Sequence, residues 1–424
     1  MGTTTFVRPS ATAAANANAA QPARPAPKPL RLRLDVWLLL VVVSLLVIGL
    51  LMVYSASWNY ALLNGMQSYS IALNQAKWVV VGLLAAVALS YFNYHRIKFF
   101  LLPMMAFTFL AMFVVLWVSD NRFGATRTLF NGSIEPSELA KLAVIIYLSF
   151  WLFSKKDQLN NMWYGLIPMT FILGGTAGMI LLQPDLSAAA TVLLLGGLLF
   201  FLAGGEIKQI ILTVAVALVL GYIIATISPT GHNRLGQYVS GLQDPQNASY
   251  QVQRSLEAVV KGGVFGVGLG NSTTKYTGLP VPWTDSIFAI ITEETGLAGA
   301  LVVLMLYVVF LWRGLSIAKR APDLLGKLLA SGITFWIVIE AVINMGAMVN
   351  LVPFAGNALP LISAGGSNLT MTLAAIGVLM NVARQGNEEQ DTSEGRPFSA
   401  VVDLRRRDRR RRVPRNGRFN GSGE

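Results

Sequence analysis

Residues 36–54 read VWLLLVVVSLLVIGLLMVY, an uncharged run in which Ser44 is the one polar interruption before Tyr54. A helix rises about 1.5 Å per residue and a bilayer core is about 30 Å thick, so a spanning helix needs about 20 mostly apolar residues. This run meets that need. The residues ahead of it, 1–34, are rich in Ala, Pro, Thr and Asn and show no apolar period. Such a composition buries no core, so this stretch is expected to be a disordered extension. It is also too long and too polar to be the start of a cleavable signal peptide, so the first span is expected to be retained as a membrane helix.

The same reading carried down the chain finds ten spans, at about 36–56, 74–92, 97–119, 136–154, 163–183, 185–204, 208–228, 285–313, 323–349 and 359–383. The fold class is therefore expected to be an all-α polytopic membrane protein. Composition agrees: of 424 residues 54% are hydrophobic and only 13% charged, where soluble domains carry about 25% charge. Gln183, Pro184 and Asp185 alone separate the fifth and sixth spans, which predicts a tight hairpin with Pro184 in the first turn of the returning helix. Basic clusters mark alternate loops: His95, Arg96 and Lys98; Lys155 and Lys156; Lys208; Arg313, Lys319 and Arg320. By the positive-inside rule these loops and both termini are cytoplasmic. The outer side then carries 58–72, 119–134, 183–185, the long stretch 229–284 and 350–358. A connection of that length is uncommon unless functional. It lies between the seventh and eighth spans, and one amphipathic helix is expected in it, at 250–260.

The formal net charge of +12 sits largely outside the apolar runs, at Arg24, Lys28, Arg31 and Arg33 and in an arginine-rich tail at 405–407 and 409–412. Cytoplasmic ends beside anionic lipid explain it better than nucleic acid does. The tail from 385 to 424 is expected to be disordered. With no cysteine and only His95 and His232, thiolate and histidine-rich metal sites and a cysteine nucleophile are excluded; any metal would need carboxylate oxygens.

Ionisable groups within spans are costly, and each is a functional candidate. Glu138 and Lys141 lie three apart on one helix and can pair, which reads first as a packing lock. Asp185 opens a helix, where its charge suits the dipole. Glu293 and Glu294 lie about 12 Å deeper than Asp285, a depth better suited to holding neighbouring helices than to touching a head-group. Glu340 and Asn344 share a face and read as interhelical hydrogen-bond partners. Asp285, where the long outer segment meets the eighth span, is either an N-cap or a base; residue chemistry alone leaves both open. The glycines at 262, 263, 266, 268 and 270 follow no strand and precede no Lys-Ser pair, so they form no nucleotide loop.

Several of these motifs, taken in order, resemble the SEDS family, the FtsW/RodA/SpoVE group of peptidoglycan glycosyltransferases. Glu135-Pro136-Ser137-Glu138-Leu139-Ala140-Lys141 is similar to its Gln-Pro-Ser-Glu-x-x-Lys run, and Gln183-Pro184-Asp185 to its Gln-Pro-Asp turn. Tyr250, Gln251, Gln253 and Ser255 followed by the glycines match its long loop. Leu279-Pro280, then Thr284-Asp285, Ile287-Phe288-Ala289 and Glu293-Glu294, match the region of its essential aspartate. Pro353, Leu359-Pro360, Ser363 and Gly365-Gly366-Ser367 match its last outer loop. The resemblance covers about 35–384. Departures are Val281 and Trp283 for Glu and His, Ala355 for Lys, Glu135 and Glu340 for Gln, and Thr128 for Trp.

The resemblance implies inverting polymerisation of lipid II into glycan strands at the outer face of the bacterial plasma membrane. It implies a class B penicillin-binding protein as crosslinking partner, and the 268–275 stretch is more like the division branch, which adds other divisome proteins and the septum. On that basis Asp285 is the expected general base. Arg234, Lys261, Lys275 and Arg127 are expected to bind diphosphate, with a divalent cation, Mg or Mn, as a candidate to share the role. Gln253, Ser255, Ser363 and Ser367 are expected to meet substrate; Glu138, Lys141, Asp185, Glu293, Glu294 and Glu340 are expected to be structural. Two rival classes are a flippase of the lipid-linked precursor, which Glu138, Lys141 and Glu340 would suit as a polar path, and a non-enzymatic divisome scaffold, for which Asp285 would be dispensable.

Overall fold

The computed structural model describes Gly2 and residues 35–118, 135–159 and 161–394. Among the described residues the regular structure is helical: α1 Val36–Leu63, α2 Ser70–Tyr91, α3 Leu101–Val118, α4 Pro136–Ser154, α5 Ile167–Leu181 and α6 Leu186–Leu202 come first. Then follow α7 Ile207–Ile227, α8 Pro229–Gln243, α9 Tyr250–Gly262, α10 Ile287–Arg320, α11 Leu324–Met348 and α12 Gly366–Glu394. A 3₁₀ turn, Tyr94–Phe100, leads into α3, and a π turn, Met162–Leu166, leads into α5.

Among the described residues eight segments are long and apolar enough to cross a membrane: α1, α2, α4, α10, α11, the core of α12, and α3 and α5 with their lead-in turns. The sixth and seventh expected spans fall on the shorter apolar helices Leu186–Leu202 and Ile207–Ile223. Caps explain several starts. The Asp35 carboxylate accepts from the Leu38 amide at 3.1 Å, Asp185 from Ala188 at 3.0 Å and Asp323 from Gly326 at 2.7 Å. Pro136 fills the first position of α4, where its missing N–H costs nothing. Pro184 does not: α6 begins at Leu186 after the Asp185 cap, so the proline stands in the turn, outside the helix where it was expected.

α4, α11 and α12 form the enclosed centre, while α2, α3 and α5 turn Leu84, Trp117 and Phe171 outward. Exposed side chains of this kind are what lipid covers. Small residues bring central helices close: a Cβ on Gly377 of α12 would lie 2.4 Å from the Ala86 carbonyl of α2. The ends of the bundle differ. At one end Asp35 pairs with Arg313 at 2.5 Å and His95 with Asp323 at 2.8 Å. At the other, Gln75 bonds the Ser363 carbonyl, Ser187 the Ala355 carbonyl and Tyr238 the Leu351 carbonyl, gathering the connecting loops into one surface.

Four expected limits are corrected. α1 and α2 run to Leu63 and from Ser70, so most of 58–72 is helix rather than loop. The stretch 229–284 holds α8 as well as α9; three glycines in α8 hide its helical character from a propensity reading. α12 continues to Glu394, through the first ten residues of the tail expected to be disordered; the rest of that tail and the 1–34 extension, Gly2 apart, lie outside the described residues.

The tenth span begins at Gly366, not 359, and the residues before it are buried without being helical: Leu359, Leu361, Ile362 and Ser363 are all enclosed. Non-helical backbone at membrane depth must have its polar groups satisfied by protein. Here the Leu359 amide donates to Ser363 Oγ at 2.7 Å, the Pro360 carbonyl accepts from the Tyr307 hydroxyl, and Gln75 bonds both the Ser363 carbonyl and the Gly365 amide. Hydropathy counts such a segment as part of a span because its side chains are apolar.

Candidate active site

Asp285 stands in the turn just before α10 and is half-buried. Ser286, not Asp285, holds the N-cap position, and its hydroxyl accepts from Gln251 of α9 at 2.6 Å. Of the two roles left open for Asp285, the N-cap position thus falls to its neighbour, whose side chain makes no capping bond. Around it, three consecutive carbonyls each receive a donor from elsewhere in the chain. The Trp283 carbonyl accepts from the Ala364 amide at 2.9 Å, the Thr284 carbonyl from Ser363 Oγ at 2.7 Å, and the Asp285 carbonyl from Asn344 Nδ2 at 2.8 Å. The Tyr60 ring packs on Trp283 with centroids 4.6 Å apart. The aspartate is thus walled by α1, α9, α11 and the 350–365 loop.

The expected cations separate into three kinds. Arg234 lines a cavity of about 110 Å³ with Gln237, Tyr238, Ser249, Val252, Asn350 and Phe354, between α8, α9 and the 350–365 loop. Lys261 is partly exposed on α9 and pairs with Glu257 at 2.8 Å, as Arg254 does at 2.6 Å. Lys261, through its hydrogen bond, and then Arg254 hold the Glu257 carboxyl below its usual range. One carboxylate therefore offsets part of the charge of both cations. Lys275 is corrected: its ammonium is sealed against Glu294 at 2.9 Å and bonds the Ser55 and Gly270 carbonyls, with 1% of its side chain exposed. Burial, then the nearby Glu294 charge, raises the adjacent Tyr276 phenol above its usual value. Arg127 lies outside the described residues.

The polar residues expected to meet substrate are drawn into the fold. Gln253 donates to the Gln246 and Ala248 carbonyls and closes the turn between α8 and α9. Ser255 is fully buried, bonded to the Gln251 carbonyl and against Met348 of α11. Ser363 ties its own loop to Thr284, and Ser367 Oγ accepts from the Glu135 amide at 3.0 Å. Gln253, Ser255 and Ser363, expected to meet substrate, engage their polar atoms in these bonds within the protein.

Glu293 holds a loop, while Glu294 accepts from Ser55 of the neighbouring helix α1 at 2.7 Å and pairs with Lys275 of the loop. The Glu293 carboxylate accepts from Ser272, from the Thr273 amide at 2.9 Å and from the Thr274 amide at 3.2 Å. α10 itself is broken three residues later, at Gly296 (φ 69°, ψ −171°). The carbonyls of Glu293 and Glu294 lose their i+4 partners, Leu297 and Ala298, and accept instead from Val267 at 3.0 Å and Gly268 at 3.0 Å. The freed Leu297 and Ala298 amides donate to Gly263 at 2.9 Å and Val264 at 3.1 Å. The glycine run is a strand-like splice into a broken helix. Glycine is needed because a Cβ on Gly266 would lie 2.2 Å from the Glu294 carbonyl.

Deeper in the bundle Lys141 bonds Glu138 at 2.8 Å and also Glu340 of α11, while Asn368 of α12 donates to Glu138 at 3.1 Å. Asp185 caps α6 and receives the Ser187 hydroxyl at 2.9 Å. A larger cavity, about 340 Å³, lies at the opposite end beside His95, Asp323 and Arg384. Among the described residues no three carboxylate or imidazole side chains converge as metal ligands. Gln75 and Glu257 had no role assigned from sequence, where charges within spans were weighed and amides and loop-helix carboxylates were not; a glutamine inside an apolar run is the signal that would have found Gln75.

Residues 36–388 match the FtsW/RodA/SpoVE family of cell cycle proteins. Stage V sporulation protein E of Bacillus subtilis (strain 168) is 36% identical over 355 residues, 82% of this chain and 97% of that protein. A protein of Thioalkalivibrio sulfidiphilus (strain HL-EbGR7) described as a probable peptidoglycan glycosyltransferase FtsW is 37% identical over 370 residues, covering 85% and 92%. Among solved structures, a chain from a peptidoglycan synthase complex that coordinates polymerization and crosslinking superposes with a TM-score of 0.69 at 25% identity, over 84% of this chain and 99% of that one. The rod shape determining protein RodA of Thermus thermophilus gives 0.62 at 25% identity, over 85% and 99%.

Proposed function

The chain belongs to the FtsW/RodA/SpoVE family of cell cycle proteins, and from that premise we propose that it is a peptidoglycan glycosyltransferase of cell division with Asp285 as its general base. The observation that carries the assignment is the Asp285 turn. Two of its three consecutive carbonyls are anchored to the 350–365 loop and the third to α11, so the carboxylate is held on a rigid support at the rim where the connecting loops meet. Relatives described as peptidoglycan glycosyltransferases support the reaction class.

In the reaction the acceptor sugar hydroxyl gives its proton to the Asp285 carboxylate as its oxygen attacks the anomeric carbon of lipid II. The bond from that carbon to the diphosphate oxygen breaks, and the lipid diphosphate leaves with the electron pair. Attack from the opposite face inverts the carbon. Arg234 and Lys261 neutralise the leaving group, with Arg127 as a third cation. A divalent cation would be held by substrate oxygens and a single carboxylate, a common arrangement for magnesium, since no protein cage converges among the described residues.

Ten spans, with both ends cytoplasmic and the Asp285 end outside, complete the reading. The clustering of His95, Arg313 and Arg320 at the end opposite Asp285 supports that orientation. A class B penicillin-binding protein is the proposed partner, supported by the likeness to a complex that couples polymerization to crosslinking; the septum is the proposed location. The test is lipid II polymerisation by the purified protein in proteoliposomes, with and without the partner. Asp285→Ala should lower turnover by about 10²–10⁴-fold, the range of a lost general base. Wild-type turnover by that variant refutes the assignment, and head-group translocation without polymerisation would make the chain a flippase.

A further inference from the structure

We propose that Asn344 of α11 is a positioning residue for Asp285, acting through backbone and never touching substrate; this rests on the assignment of Asp285 as the base. Asn344 is 2% exposed, and its amide nitrogen donates twice: to the Asp285 carbonyl at 2.8 Å and to the Asn357 carbonyl at 2.6 Å. Both partners are acceptors, so the amine end must face them. The first carbonyl belongs to the aspartate itself. The second belongs to the 350–365 loop, whose Ser363 and Ala364 hold the two preceding carbonyls. One side chain therefore locks the register between the base and the loop that frames it.

The other end of the amide points to the same role. Asn344 Oδ1 is buried and accepts no hydrogen bond among the described residues. A buried acceptor left unpaired is costly. An apolar residue would relieve that acceptor only by removing the donor from both the Asp285 and the Asn357 carbonyls, so the side chain's role lies in its two donations. Those bonds connect residues 59 and 13 positions away, across three separate segments. Displacement of a catalytic group by about 1 Å can cost about 10²-fold in rate, and the clamp is what fixes the Asp285 backbone along this side.

The experiment compares Asn344→Ala and Asn344→Leu with Asp285→Ala and with a control, Asn381→Ala, in full-length protein reconstituted in proteoliposomes. Asn381 is a fully buried asparagine that donates to the Ser90 carbonyl at 2.7 Å and accepts from the Tyr94 amide at 3.3 Å, at the opposite end of the bundle. Both Asn344 variants should lose about 10–100-fold in kcat with KM within about 3-fold of wild type, and Asn381→Ala should keep its kcat at a matched loss of thermal midpoint. If Asp285→Ala is inactive while the Asn344 variants turn over within 2-fold of wild type, the clamp is refuted and the base stands. Equal kcat losses in Asn381→Ala also overturn it, because the effect is then only structural. If Asp285→Ala retains wild-type turnover, the base assignment fails and the clamp falls with it.

Discussion

Glu257 sits between Arg254 and Lys261 on α9, three residues from one and four from the other, and pairs with both. Spaced in this way, the carboxylate is within helical reach of each cation, and it sets how much positive charge α9 offers an anionic head-group. Glu257→Gln should lower KM for lipid II by about 2–5-fold at low ionic strength, and the gain should fade as salt shortens the screening length to about 8 Å; an unchanged KM would separate α9 from diphosphate binding. The Glu257 carboxyl is held below its usual 4.5, so whatever stability the pairs add is complete above that pH and disappears as the pH falls through the lowered value. Lys275 shows the opposite use of a lysine. Sealed against Glu294 and Ser55, it closes the loop onto α1 and α10 and has no free charge to lend.

At the scale of elements the break in α10 matters most. Gly296 has a backbone conformation open essentially to glycine alone, and a Cβ there would lie 2.4 Å from both the Gly266 amide and the Val264 carbonyl. Gly296→Ala should therefore cost at least about 1–3 kcal/mol for the backbone, with a further cost for the overlap. The fall in thermal midpoint measures it, and faster proteolysis within 262–275 should accompany it as the splice opens. Retention of the wild-type midpoint would mean that the break carries no structural constraint. The helical pattern of 287–320 is continuous in sequence and hides this feature, since one glycine in an apolar helix is tolerated in many membrane spans. What makes it a break is the pairing of its freed carbonyls and amides with a loop some 30 residues upstream.

At the scale of the molecule, Lys141 joins α4 to α11 through Glu340, and Asn368 brings in α12 through Glu138. One ammonium faces two carboxylates in the most enclosed part of the bundle. Removing one partner of a buried pair costs about 3–5 kcal/mol because a charge is stranded. Lys141→Met strands two like charges and should abolish folded protein or lower the midpoint sharply. Glu340→Gln keeps the shape, leaves one ion pair and should hold or raise the midpoint in detergent. The reverse order of these two midpoints would show that the triad is not the lock between the three helices.

The sequence by itself determined the class of fold, the approximate spans and the end of the bundle that deserved attention, because span length, charge deficit and loop charge are local quantities set by the bilayer. It also marked Asp285 and the paired Glu138 and Lys141, since charges in apolar runs stand out. It did not separate the cations that are partly exposed from the one that is sealed, nor show that Ser363 staples one loop to another. Those outcomes depend on which unpaired group lies nearest in space: Lys275 meets Glu294 and Ser363 meets the Thr284 carbonyl. For the same reason 359–365 read as span by hydropathy and proved to be a buried loop: apolar side chains are legible one residue at a time, whereas the donors that satisfy its backbone come from Gln75, Tyr307 and Ser363. The tertiary structure decided those pairings, because burying a polar group is tolerated only where a partner, often far along the chain, is already in place.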